Sequence, residues 1–162
     1  MPATQEPSSS DILKILNRYT PEVLQTMAGL TAAPGAGNTN APQSCVLSGV
    51  AGAIALSGNA SGVVYTAFPE ELAKLVAGKI LGTAVSDQDI SDIVSELTNM
   101  IGGNFKSQLC DLGFDCTLSI PTIVKGDKIN IAAKSAAISV RNEYTVEGCS
   151  EPLVIQAFAV FK

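Results

Sequence analysis

Asp92 to Leu109, DIVSELTNMIGGNFKSQL, is the stretch on which the reading of this chain turns. An α-helix advances about 100° per residue. On that wheel Ile90, Ile93, Val94, Leu97, Ile101, Phe105 and Leu109 share one broad side, which predicts an amphipathic helix with a core-facing stripe. Asp92, Glu96, Asn99, Gly103 and Lys106 recur at spacings of three and four on the other side. Gly102 and Gly103 sit in its middle, each costing roughly 1 kcal/mol against alanine. A helix that keeps two such residues is expected to have something approaching its backbone there.

The chemistry follows from Glu96 and Asn99. A carboxylate and a carboxamide three residues apart on one exposed face form a two-pronged reader. The carboxylate pairs with a partner's ammonium group, and the amide both donates and accepts, so it can hold water and an oxyanion at once. Neither is a strong base or a nucleophile at neutral pH. The pair suits a reaction governed by positioning. Attack of water on a phosphoryl group is one, because its transition state is loose and catalysis is mostly alignment and electrostatics.

The rest of the sequence narrows the classes. Its 162 residues suit one domain with a sizeable core. Hydrophobic residues make up 46% and charged residues only 15%, a lean surface charge that suggests apolar area hidden in an oligomer. A net charge of −5 and a pI near 4.6 argue against nucleic acid as a partner. The chain contains no histidine, which removes Ser-His-Asp and Cys-His catalysis, histidine general bases and most metallohydrolase sites. There is no Walker-type phosphate loop and no strand-linked G-x-G-x-x-G. The four cysteines (45, 110, 116 and 149) lack C-x-x-C spacing, so buried free thiols are expected; Cys110 and Cys116 flank a short loop that can bring them near each other. No export signal and no membrane-length apolar run is present, so a cytoplasmic protein with no membrane insertion is expected.

Along the chain, residues 1–10 read as a flexible tail and 11–162 as a single domain. Ser10 is placed to cap a helix, and Pro21 fits the first position of a second segment, so one kinked helix or two short ones are expected over 11–31. The Gly-, Pro- and Asn-rich residues 32–44 read as a mobile loop. Strands are expected at about 46–57 and 62–68, a helix over 70–81, and the 92–109 helix capped by Ser86 or Asp87. Further strands are expected at about 115–124, 128–140, 143–148 and 152–161, with turns at Gly126-Asp127-Lys128 and near Gly148. The last, LVIQAFAVF, is too apolar for an open edge and is expected to be covered or paired across a dimer. The sum is an α+β fold: an antiparallel sheet of about six strands packed on one face by long helices.

The same residues carry a family resemblance. Asp92-x-x-x-Glu96-x-x-Asn99, continued as MIGGNFK, resembles the signature helix of the CheC/CheX/FliY chemotaxis phosphatases. LSIPTIVKG (118–126) is similar to the family's S-x-P-T-V-x-x-G stretch. GAIALSG (52–58), GVVYTAF (62–68) and EELAKLVAGKILG (70–82) resemble its first hairpin and the helix before the signature. With one full signature, the chain looks closest to CheX. The resemblance implies a phosphatase that hydrolyses the aspartyl phosphate of a CheY-type response regulator. Glu96 and Asn99 would be catalytic. Asp92, Gly102, Gly103 and Lys106 would support or dock, although Asp92 and Lys106 read equally well as ordinary surface positions on the helix. The resemblance also implies a homodimer and no cofactor in this chain, with Mg²⁺ supplied by the phosphorylated regulator. Glu22-x-x-Gln25 repeats the E-x-x-amide spacing and is either a degenerate second site or a relic of internal pseudo-symmetry. Two other classes fit the same residues: a non-catalytic module binding a response regulator or the flagellar switch, and a structural homo-oligomer.

Overall fold

The computed structural model describes residues 5–82 and 84–162. The chain runs α1 (Ser9–Ala28), β1 (Ala32–Pro34), β2 (Ser44–Gly58), β3 (Ala60–Phe68), α2 (Glu70–Leu81), α3 (Asp87–Asp111), β4 (Cys116–Leu118), β5 (Thr122–Ala132), β6 (Ile138–Val146) and β7 (Leu153–Phe161). All seven strands join one antiparallel sheet in the order β1-β6-β7-β3-β2-β4, with β5 also paired to β2. The three helices pack on this curled sheet, the expected α+β arrangement.

The core lies between helices and sheet. Ile12, Leu16, Val23 and Leu24 of α1 and Ile90, Val94, Leu97, Ile101, Phe105 and Leu109 of α3 meet Ile54, Val64, Val140, Tyr144, Leu153 and Ile155 of the strands. A smaller cluster occupies the opposite face of the sheet: Leu47, Ala51 and Ala67 pack with Tyr65, Ile129, Ile131 and Val154. Among the described residues no helix is long and apolar enough to cross a membrane.

Several boundaries differ from the sequence-based expectation. Of the two forms expected for α1 the single helix is found, with Pro21 inside it, but its N-cap is Ser8 rather than Ser10. Ser8 and Asp11 form a reciprocal capping box, so the end of the expected tail belongs to the helix; residues 1–4 lie outside the described residues. The 32–44 stretch is not a free loop. β1 pairs with β6, and backbone bonds from Gly35, Asn38 and Ala41 to Glu143, Arg141 and Ser139 lay the rest along the same edge. β7 is not paired across a dimer: β3 and β6 flank it within the chain. Gly126-Asp127-Lys128 is not a hairpin turn but an irregularity inside β5, opposite Leu47–Gly49 of β2. The actual turn into β6 lies at 133–137.

β4 and β5 follow one another along the same edge of β2. Cys116, Thr117 and Leu118 pair with Gly58, Ser57 and Leu56; Thr122 resumes opposite Ala53. Four steps on one chain match three on the other, so one extra residue is accommodated at 119–121, the signature of a β-bulge.

Candidate functional site

The site is built on α3. Ser86 caps it, with Asp89 N–H donating to Ser86 Oγ at 3.1 Å and Ser86 N–H donating to Asp89 Oδ2 at 2.9 Å. The Ser86 backbone N–H first, and the Ser86 side chain second, hold the Asp89 carboxyl below its ordinary value of 3.8. The apolar stripe predicted from the sequence is the buried one, with Ile93 half-buried at its margin.

Helix α3 lies very close to β2, and two glycines make this possible. A Cβ on Gly52 would sit 2.0 Å from Thr98 Oγ1, and a Cβ on Gly102 would sit 2.9 Å from Ile54 Cγ2. Thr98 is fully buried and fixes the contact: it hydrogen-bonds Thr66 of β3 at 2.6 Å and the Val94 carbonyl at 2.7 Å. The neighbouring positions Glu96 and Asn99 thereby face outward, and both are exposed.

Glu96 and Asn99 are not on a flat surface. With Ser95 they form one wall of an open groove of about 350 Å³, whose other wall is Leu118, Ser119, Ile120 and Pro121. Ser119 pins that second wall to the sheet. Its N–H donates to the Ala55 carbonyl and the Ala55 N–H donates to Ser119 Oγ, both at 2.9 Å. The groove thus joins an acid and an amide to a fixed, partly apolar rim, an arrangement suited to engaging a polar reacting group on a larger partner.

The remaining predicted residues divide. Asp92 is exposed on the same helix and accepts from Gln88 Nε2 at 2.9 Å. Lys106 is half-buried, and nothing stands within 4 Å of a Cβ placed on Gly103. Gly102 does not belong with them as a docking residue. It is buried against Ile54, so the backbone approach its glycine permits is that of the sheet. Glu22 and Gln25 are exposed on α1, away from the groove, which α3 and the β4–β5 link alone line. Thr98, Ser119 and Ile120 were not singled out from sequence. Thr98 follows the core stripe by one position, and Ser119 and Ile120 lie inside the quoted 118–126 stretch without local marks of their own.

All four cysteines are free thiols. Burial pushes the Cys116 thiol up to about 11, and the adjacent Cys110, hydrogen-bonded to it, adds to the effect. Among the described residues no group of three or more His, Cys, Asp or Glu side chains is placed to hold a metal ion.

Residues 50–144, more than half of the chain, match the family model of the chemotaxis phosphatase CheX. The chain belongs to the CheX family. Glu96, Asn99 and the whole 118–121 rim fall inside the matched span. Solved CheX-like structures share the fold over nearly the full length. A CheX chemotaxis protein from Desulfovibrio desulfuricans superposes with a TM-score of 0.82 at 24% identity, covering 93% of this chain and 99% of that chain. A CheC-like superfamily protein from Shewanella sp. PV-4 gives 0.81 at 27% identity over 93% and 97%. A Borrelia burgdorferi CheX, crystallised in a complex with CheY, BeF₃ and Mg²⁺, gives 0.74 at 19% identity over 92% and 97%. No curated protein matches the chain significantly.

Proposed function

We propose that this CheX-family protein dephosphorylates the aspartyl phosphate of a CheY-type response regulator, using Glu96 and Asn99. The observation that carries the reading is the joint exposure of these two side chains on a helix locked to the sheet at Thr98. Their spacing of three residues sets both on one outward face.

The roles follow from the groups available. Glu96 pairs with a lysine ammonium beside the regulator's acyl phosphate. Asn99 reaches the phosphoryl group and aligns a water in line with the phosphorus through its donor and acceptor ends. The water oxygen forms the new P–O bond as the bond from phosphorus to the aspartyl oxygen breaks. The aspartate leaves as a carboxylate, and the water's proton passes to phosphate or solvent. Such alignment needs a rigid presenting surface, since a displacement of about 1 Å can cost on the order of 100-fold in rate. The Mg²⁺ belongs to the regulator's own carboxylates, and this chain supplies no ligand to it. Asp92, Gly103 and Lys106 extend the docking face along the helix. Glu22 and Gln25 are read as a relic without catalysis, because they lie on α1, outside the groove that Glu96 and Asn99 line.

Homodimerisation is part of the proposal. With β7 enclosed, the longest edge strand is β5, which carries exposed Val124 and lies beside exposed Val46 of β2, and it is the edge proposed to pair with a second copy. Sedimentation at micromolar concentration tests it.

The phosphatase reading is tested by phosphate release from the host's phosphorylated CheY-type receivers with and without this chain. Acceleration at substoichiometric amounts is expected. A rate equal to the receiver's own decay would leave only a binding module.

A further inference from the structure

Ile120 is the one large apolar side chain that the fold pushes almost wholly into solvent; it is 87% exposed, against at most 49% for any other exposed large hydrophobic among the described residues. The register explains how. In an unbroken strand Leu118, Ile120 and Thr122 would share a face, and Ile120 would follow Leu118 toward the core. The extra residue at 119–121 reverses that parity, so that Leu118 before it and Ile123 after it both pack on the core while Ile120 is expelled. Pro121 lacks an N–H and suits a position where the ladder is broken.

The expelled side chain is not on a loose tip. Ser119 is bonded twice to Ala55, and its Oγ also donates to the Ile120 carbonyl at 3.1 Å. Ile120 stands on the rim of the same groove that Glu96 and Asn99 line. Among the described residues it is left almost wholly uncovered. Burial of an isoleucine side chain is favourable, and here that gain is unrealised within the fold.

Resting on the phosphatase reading, we infer that Ile120 is a docking anchor for the protein partner: it buries against an apolar side chain of the receiver domain flanking the phosphorylated aspartate, and so holds the receiver over the groove that Glu96 and Asn99 line. The contact is made in the ground-state complex and in the transition state alike, so it acts on KM and leaves kcat nearly unchanged.

The test compares wild type, Ile120→Ser and Ile120→Val. For Ile120→Ser the KM for the phosphorylated receiver rises about tenfold, the ratio expected when an aliphatic side chain loses its contact. Its kcat stays within about twofold, and its melting temperature is unchanged because the side chain is almost wholly exposed. Ile120→Val stays close to wild type. Affinity for the Mg²⁺- and beryllofluoride-loaded receiver falls by a similar factor in Ile120→Ser, which reads docking without hydrolysis. Wild-type phosphate release reports on the proposed function; the ratio of variant to wild type reports on Ile120. An unchanged KM and affinity, a fall in kcat at constant KM, or a wild-type dimer that Ile120→Ser dissociates would each overturn the assignment. A wild type that neither binds nor dephosphorylates any host receiver would overturn both readings.

Discussion

Thr98 and Thr66 share a 2.6 Å hydrogen bond between two fully buried hydroxyls, one residue before Asn99. This bond joins α3 to β3 across Gly52 of β2, and it ties the helix face that carries Glu96 and Asn99 to the packing beneath it.

Removing one partner strands the other. Thr98→Val leaves the Thr66 hydroxyl buried without that bond and costs about 1–3 kcal/mol in urea unfolding. The double variant with Thr66→Val recovers part of this loss. The double-mutant cycle should return a coupling of at least about 0.5 kcal/mol; additive effects would mean that the bond does not form.

The paired glycines of α3 are expected to respond in opposite directions. Gly103→Ala meets open space and raises stability by up to about 1 kcal/mol through helix propensity. Gly102→Ala places a methyl against Ile54, a fully buried side chain, where overpacking of about 1–3 kcal/mol outweighs the same gain. Equal responses would contradict the close approach of α3 to β2. Gly52→Ala drives a methyl into Thr98, displaces α3, and should lower phosphatase activity together with stability.

Much of this was legible from the sequence, and the misses share a cause. The 3.6-residue period of α3 identified both its buried stripe and its outward Glu96 and Asn99, because a long amphipathic helix carries its orientation in its own pattern. Two glycines in a helix announced a close approach, but local sequence does not say from which side; the sheet supplies Ile54 on the side of Gly102. Gly126-Asp127-Lys128 has the composition of a turn, yet continued pairing of β5 with β2 on both sides makes it an irregularity within a strand. The apolar β7 was rightly excluded from an open edge. Its neighbours β3 and β6 are set by topology, which strand composition does not encode. The Ile120 rim depends on a register shift, a property of two strands together.

The capping box of α3 predicts a pH dependence. The Asp89 carboxyl is held below 3.8 when folded, so its charged form adds stability that is complete above the unfolded value and is lost as pH falls through the lower folded value. Asp89→Asn should therefore melt below wild type at about pH 6, and the gap should narrow as pH falls below 3.8 and through the lower folded value. A constant difference would assign the effect to shape rather than charge.

Cys116 offers a chemical check of the buried end of α3. Its thiol, raised to about 11 by burial and by Cys110, stays protonated at neutral pH, and thiolate is the reactive form. In the native protein at about pH 7.5, iodoacetamide should leave Cys116 unmodified until the fold opens. Early labelling read by peptide mass mapping would place it in the wrong environment.

The most direct test of the account is Asn99→Ala in single-turnover dephosphorylation of a CheY-type receiver, with binding to the beryllofluoride-loaded receiver measured alongside. Loss of the water-aligning amide should slow phosphate release by 100-fold or more, on the order of removing one preorganised catalytic donor, while the dissociation constant moves by less than about threefold. Hydrolysis and binding that weaken in equal measure, or hydrolysis that persists at the wild-type rate, would contradict the role assigned to Asn99.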